Sequence, residues 1–312
     1  MGLPKQQPIR AGAGAAGAVA ARRWFIGIGV GEYDDPDLNL GKVLDDVKRM
    51  SDWFVGESRV DHQVGLEELA RNPTWSQISE QLAKFLRECS REDVVVIYIA
   101  CHGEEEGGQA YLFGRNTPKA QIAGLALSAS QLGSMLGSST PHNVLVIVDA
   151  CVAGAIAAAI ADGTRLAVRA QNSRDPYRQF SQVMIASTFG LDPAQDGGFV
   201  DAFLRTVKNE RWTGSVRPWI SLDQFIQGLN EELRDTAPGQ IVESTQWFNG
   251  EIQLIPNPNV GRRQRVGLFE DEEFAAHFDP ASRGVARSES GSFFTGRTDE
   301  LAQASAWLSR HR

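Results

Sequence analysis

The sequence has few cysteines: Cys89, Cys101 and Cys151 are the only three in 312 residues, too few for a disulfide framework. This scarcity is typical of a reducing compartment, so we expect a cytoplasmic protein. No apolar run reaches the 18 residues of a membrane span, and no membrane partner is expected. The Gly- and Ala-rich run at 11–21 lacks Leu, Ile and Phe, so residues 1–22 are interpreted as a flexible tail rather than a signal peptide.

The sequence also lacks an excess of positive charge, because its formal net charge is −8. A protein that binds the phosphate backbone normally carries a basic stripe, so we expect no nucleic-acid partner. No Gly-x-x-x-x-Gly-Lys-Ser/Thr loop is present, and Gly27, Gly29 and Gly31 have the wrong spacing for a dinucleotide fingerprint. This stretch of chain alone is therefore not expected to hydrolyse nucleotides. A flavodoxin-like nucleotide binder would share the sheet, but the phosphate loop it requires is missing from the sequence.

Strongly apolar segments alternate with helical patterns along the chain. Val94–Cys101 (VVVIYIAC) and Val144–Ala150 (VLVIVDA) are apolar without alternation, as expected of strands that helices cover on both faces. Further strands are predicted at Trp24–Val30, at Val183–Ser187 and, as the last one, at Ile252–Ile255. The pattern predicts an α/β fold, a three-layer sandwich with a mostly parallel sheet.

A histidine and a cysteine follow the two strongest predicted strands. His102 comes directly after the first and Cys151, 49 residues later, directly after the second. Carboxyl ends of parallel strands meet at one edge of the sheet, so the two side chains are expected to lie together. An imidazole raises the reactive fraction of a thiol, so Cys151 is the candidate nucleophile and His102 the candidate base. The backbone N–H groups of Gly103 and of Cys151, at the start of the following helix, are candidates for the oxyanion site.

Two motifs around these residues resemble those of caspases and metacaspases. Ile99–Glu104 (IACHGE), followed by Tyr111–Gly114 (YLFG), is similar to the histidine motif, and Val148–Gly154 (VDACVAG) is similar to the Asp-x-Cys-x-x-Gly motif. A histidine about 50 residues before the cysteine is also typical of caspases. The resemblance implies a caspase-like fold and cysteine endopeptidase activity on protein or peptide substrates. The chain departs from the family in having Val152-Ala153 where His-Ser is usual.

Asp149 is the candidate that determines substrate specificity. Residues i and i+2 of a strand share a face, so Asp149 is expected beside Cys151, where it would attract Arg or Lys before the scissile bond. In metacaspases this aspartate pairs with a second one on the first helix, which implies Asp46 or else Asp45 here. Ser187, in the matching Ala-Ser-Thr segment after the third buried strand, is a further candidate substrate-binding residue.

The resemblance covers residues 23–256, which are predicted to form one peptidase domain. Pro-, Asn- and Ser-rich composition at 257–291 predicts a linker. Residues 292–312 resemble the entry of a STAND or NACHT-like ATPase, which implies a bacterial effector joined to a sensor module in the same chain. An amphipathic terminal helix is the alternative interpretation.

A polar stretch between the Cys151 strand and the next strand is predicted to be an exposed loop that the enzyme cuts itself between Gly163 and Tyr177. It contains the candidate autocleavage sites Arg165, Arg169, Arg174 and Arg178. The alternative is that its arginines form an ordinary solvated surface. No cofactor or metal site is expected, because Glu104–Glu106 is interpreted as a solvated loop, which leaves calcium binding unsupported. The alternative function is a catalytically weak caspase-like module that acts in signalling or binding, with Cys151 as a small buried side chain.

Overall fold

The computed structural model describes residues 21–172, 180–188, 198–214, 216–237, 239–247 and 253–260. The strands are β1 (Arg23–Gly29), β2 (His62–Val64), β3 (Val94–Ala100), β4 (Gly103–Glu106), β5 (Gln109–Leu112), β6 (Leu127–Ser128), β7 (Asn143–Asp149), β8 (Ser181–Thr188) and β9 (Ile241–Trp247). The α-helices are α1 (Val43–Asp52), α2 (Trp75–Glu88), α3 (Ala129–Gly137), α4 (Ala153–Asn172), α5 (Gly198–Lys208), α6 (Glu210–Thr213) and α7 (Leu222–Thr236).

Six strands form a central sheet in the order β2-β1-β3-β7-β8-β9, and only β9 runs antiparallel to its neighbour. All residues of β3 are buried, since this strand lies in the middle of the sheet and has an apolar cluster on each face. Helices α2, α3 and α4 cover one face, and α1, α5 and α7 cover the other. The predicted three-layer α/β architecture with a mostly parallel sheet is confirmed.

The last strand is not where the sequence placed it. The edge strand of the sheet is β9, whereas Gln253–Ile255 is not a strand and Ile252 lies outside the described residues. Strand β9 alternates buried Val242 with exposed Glu243, because an edge strand leaves much of its surface in water. Because its composition is polar (IVESTQW), β9 does not form the continuous apolar run that marks the central strands.

Helix α4 covers residues 163–172 of the stretch that was predicted to be a loop. Arg165 and Arg169 lie within this 20-residue helix, so their assignment to an exposed cleavage loop is wrong. The helix packs closely on α3, since a Cβ added at Gly163 would lie 2.3 Å from the Ser130 carbonyl oxygen. The small residues that make the sequence look unstructured are those that allow this close approach. Arg174 and Arg178 lie outside the described residues.

Residues 257–260, which the composition assigned to a linker, pack with the α/β unit. Asn257 and Asn259 are buried, and the Asn257 side-chain amide donates to the carbonyls of Thr213 and Arg217. The compact unit that contains the sheet extends to Val260, beyond the predicted domain boundary at residue 256. The rest of the predicted linker and the predicted start of an ATPase or sensor module, 292–312, lie outside the described residues and stay predictions.

A buried histidine makes the stability of this fold sensitive to mild acid. Within the described residues neither ring nitrogen of His62 forms a hydrogen bond of normal geometry, and the ring packs edge-on against Phe54. Burial, together with the positive charge of Arg23, lowers the pKa of His62 to about 4, against weaker opposing effects of the nearby Val60 and Phe54 backbone and of Asp61. The unfolded chain, with a histidine pKa of about 6.5, therefore binds more protons between pH 4 and 6.5 than the folded chain.

We expect the contribution of neutral His62 to stability to be complete above pH 6.5 and to be lost as the pH falls towards 4. The loss is about 3 kcal/mol of unfolding free energy, and the variant His62→Leu should lack it. Urea unfolding of both proteins between pH 4 and 7.5 measures the difference. An identical pH dependence of wild type and His62→Leu would contradict this prediction.

Candidate active site

His102 and Cys151 meet at the carboxyl edge of the sheet. Ala100 of β3 is paired in register with Asp149 of β7, and His102 and Cys151 each follow two residues later. A Cβ added at Gly103 would lie only 2.5 Å from the carbonyl oxygen of Cys151, so the two chain segments are in direct contact. The structure therefore brings together the two residues that the sequence singled out.

The His102 ring is oriented by groups that the sequence analysis missed. Its Nε2 lies 2.8 Å from the carbonyl oxygen of Leu38, which can only accept, so Nε2 donates and Nδ1 is left as the basic nitrogen. The His102 backbone N–H donates to the Tyr33 hydroxyl at 2.9 Å, and the ring lies between Tyr33 and Phe113. No sequence signal identifies a backbone carbonyl as a hydrogen-bond partner, because every residue carries one.

The segment that carries Tyr33 and Leu38 is held in place by two asparagines. Asn39 accepts from the backbone N–H of Tyr33, and Asn72 accepts from the N–H groups of Gly31 and Glu32. Burial raises the pKa of Tyr33 above its ordinary value, and the nearby thiols of Cys101 and Cys151 act in the same direction. Tyr33 therefore stays a neutral hydroxyl beside His102.

Cys151 is exposed, whereas Cys101 and Cys89 are buried and burial raises the pKa of each to about 12. Cys151 is therefore not a core side chain, contrary to the alternative interpretation of the sequence. The next residue, Val152, has a φ of 53°, which is strained for a β-branched side chain. Strain of this kind costs of order 1–3 kcal/mol and is concentrated at functional sites. The turn it creates separates β7 from α4 and presents the thiol at the surface.

The backbone N–H of Gly103 points away from the neighbouring strand β5. The Phe113 N–H donates to the His102 carbonyl at 3.0 Å, which makes Gly103 and Leu112 a non-hydrogen-bonded pair of the β4–β5 hairpin. An N–H in that position is directed outward from the ladder. It lies on the chain segment that contacts Cys151, as an oxyanion donor requires.

A row of polar side chains crosses the sheet next to Cys151. Asp149 and Ser187 are paired in register on β7 and β8, and they face the same side of the sheet as buried Tyr98. The Tyr98 hydroxyl donates to Asp149 Oδ2 at 3.1 Å, and the Gln240 amide donates to the Ser187 hydroxyl. Since β7 ends at Asp149, the strand alternation that placed Asp149 and Cys151 on one face does not extend to Cys151.

Asp46, the second acid implied for this pocket, lies on α1 and is buried. Its carboxylate is 3.2 Å from the Arg49 guanidinium, which also binds Asp201 of α5. Arg49 therefore neutralises part of the negative charge of Asp46. Asp45, the alternative candidate, is exposed on the same helix.

Other candidate sites lie elsewhere or are not supported by the described residues. A cavity of about 610 Å³ lies at the opposite, amino edge of the sheet, beside Leu145, Val183 and Trp219. Over the described part of the chain, no group of three His, Cys, Asp or Glu side chains is placed to hold a metal ion. No helix in that part is both long and apolar enough to cross a membrane.

Comparison with known protein families shows to which family the chain belongs. Residues 22–246 match the family model described as Caspase domain. The chain belongs to the caspase-domain family. That family is one of cysteine peptidases, which are hydrolases that use a thiol.

Solved structures with a similar arrangement have low sequence identity to this caspase domain. A crystal structure of protein GSU0716 from Geobacter sulfurreducens is 16% identical, covers 77% of this chain and 98% of its own, and has a TM-score of 0.48. Caspase-1 from Spodoptera frugiperda is 12% identical, covers 76% of this chain and 88% of its own, and has a TM-score of 0.45. No curated protein matches the chain.

Proposed function

We propose that this caspase domain is a cysteine endopeptidase in which Cys151 is the nucleophile and His102 the general base. The observation that carries the proposal is the contact between the His102–Gly103 and Cys151 segments, with an exposed thiol and a histidine oriented by Leu38. A base held in one tautomer by a third group is the arrangement that activates a nucleophile.

Each step of peptide hydrolysis has a matching group. His102 Nδ1 accepts the thiol proton of Cys151, and the sulfur attacks the carbonyl carbon of the scissile peptide. The N–H groups of Gly103 and Cys151 stabilise the oxyanion of the tetrahedral intermediate. His102 then returns the proton to the departing amine, which leaves a thioester on Cys151. Water, deprotonated by His102, hydrolyses the thioester to release the carboxylic acid and restore the thiol.

The substrate preference in this proposal is for a basic residue before the scissile bond. The Asp149 carboxylate is half-buried two residues before the nucleophile, in a row with the Tyr98 hydroxyl, Ser187 and the Gln240 amide. Arg49 pairs with Asp46 and with Asp201, so the proposal assigns the recognition of a basic substrate residue to Asp149. A substrate Arg or Lys would form a charge-assisted hydrogen bond with the Asp149 carboxylate.

Peptides that differ only in the residue before the scissile bond test this preference. We expect cleavage after Arg or Lys and little after Asp. Asp149→Ala should raise KM for basic substrates, because a buried cation left without its partner costs about 3–5 kcal/mol. The matched control is Asp162→Ala, which removes an exposed carboxylate on α4. A cleavage profile dominated by acidic residues would refute the role of Asp149.

A further inference from the structure

The polar row beside Cys151 ends in an amide oxygen that lacks a hydrogen-bond partner within the described residues. Gln240 is only 6% exposed, and its Nε2 donates to the Ser187 hydroxyl, but no donor reaches its Oε1. A buried acceptor without a donor costs about 1–3 kcal/mol, so an oxygen in this state points to a ligand that donates to it.

The position of this oxygen follows from the strand register. Ser187 is the partner of Asp149 on the adjacent strand, and neighbouring strands lie about 4.8 Å apart. Gln240 directly precedes β9, which pairs with β8 on its other side, so its amide extends the row by one strand. A Cβ added at Gly198 would lie 3.0 Å from Oε1, which places the oxygen at the first residue of α5.

The row therefore offers a carboxylate on β7 and a neutral acceptor beside β9, with Ser187 of β8 between them. Asp149 carries the charge, and its Oδ2 accepts from Tyr98, which fixes the orientation of the carboxylate. A guanidinium has five N–H donors that point outward in one plane, whereas an ammonium is a compact charge with three. Two separated acceptors therefore suit the forked N–H donors of a guanidinium better than they suit the compact charge of an ammonium.

We propose that Gln240 is a specificity-determining residue that makes the pocket select arginine over lysine, with Oε1 accepting a hydrogen bond from the substrate guanidinium. This inference rests on the proposed function of the site and adds a residue that the sequence did not indicate. Ser187 holds the amide in the orientation that presents Oε1, so it acts as a positioning residue rather than through contact with the substrate.

The experiment compares two fluorogenic peptides that differ only in Arg or Lys before the scissile bond. We expect the wild type to cleave the Arg peptide with a kcat/KM about tenfold higher than that for the Lys peptide, because a hydrogen bond to a charged group usually contributes a factor of about this size. In Gln240→Leu the kcat/KM for Arg should fall by about tenfold while that for Lys changes by less than about twofold. The matched control is Gln246→Leu, which changes an exposed glutamine of β9 and should leave both values unchanged.

Two results would overturn the inference while leaving the peptidase assignment intact. One is an equal loss of kcat/KM on the Arg and Lys peptides in Gln240→Leu, and the other is an unchanged ratio of the two kcat/KM values in a folded variant. If Gln240→Leu does not fold, as thermal unfolding would reveal, Gln240→Met keeps the side-chain length, replaces the amide oxygen by a weakly accepting sulfur and is subject to the same criterion. Competitive inhibition of the wild type by agmatine and cadaverine needs no variant, and equal inhibition constants would also contradict the inference. Absence of any cleavage after basic residues would instead refute the proposed function itself.

Discussion

Replacing Cys151 by alanine is expected to abolish peptidase activity and to leave the fold unchanged. The thiol supplies the bond-forming atom, and removal of a catalytic nucleophile lowers kcat by a factor on the order of 10⁴ to 10⁶. Because the Cys151 side chain is exposed, its loss creates no core cavity and should shift the unfolding free energy by less than about 0.5 kcal/mol. Initial rates on a basic peptide and urea unfolding of both proteins measure the two effects.

His102→Ala is the companion variant and should be nearly as damaging, since the thiol then loses its base. Cys89→Ala is the matched control, because Cys89 is a buried thiol on the far side of the fold from the active site. The rate of Cys151 alkylation near pH 7 provides a second measure that requires no substrate. Wild-type turnover by either active-site variant, or slow alkylation of Cys151 in the wild type, would refute the assignment.

Replacing Gly103 by alanine is expected to lower kcat/KM by about 100-fold, although no reacting side chain is removed. The new Cβ would lie 2.5 Å from the Cys151 carbonyl oxygen and 2.6 Å from Ile156 Cδ1, closer than atoms in contact can approach. The backbone must therefore move at the point where the His102 and Cys151 segments meet. A displacement of about 1 Å in a catalytic group is enough to cause a loss of this size.

The matched control for this variant is Gly41→Ala, because a Cβ at Gly41 meets no atom within 4 Å. Overpacking also destabilises, so Gly103→Ala should lose about 1–3 kcal/mol of unfolding free energy while Gly41→Ala should lose little. Activity is compared at a temperature where both variants are fully folded. Wild-type kcat/KM in Gly103→Ala would show that the close contact between the two segments does not govern the geometry of the site.

Sequence patterns predicted the central strands well because those strands are buried on both faces. Continuous apolar runs identified β3 and β7, and the residues that follow them were correctly placed together. Sequence patterns did not predict β9 or the full length of α4. An edge strand exposes polar residues, and the buried face of α4 consists largely of small residues, which pack closely against α3.

The sequence by itself determined the chemistry that is available: one histidine and one cysteine at the ends of neighbouring strands, with an aspartate two residues before the cysteine. Only the tertiary structure decided how these groups are held. The Leu38 carbonyl that orients His102, the Tyr98 hydroxyl on Asp149 and the Gln240 amide on Ser187 come from positions 64, 51 and 53 residues away from their partners. Such contacts depend on three-dimensional distance and on backbone atoms, which every residue carries, so no local pattern in a single sequence encodes them.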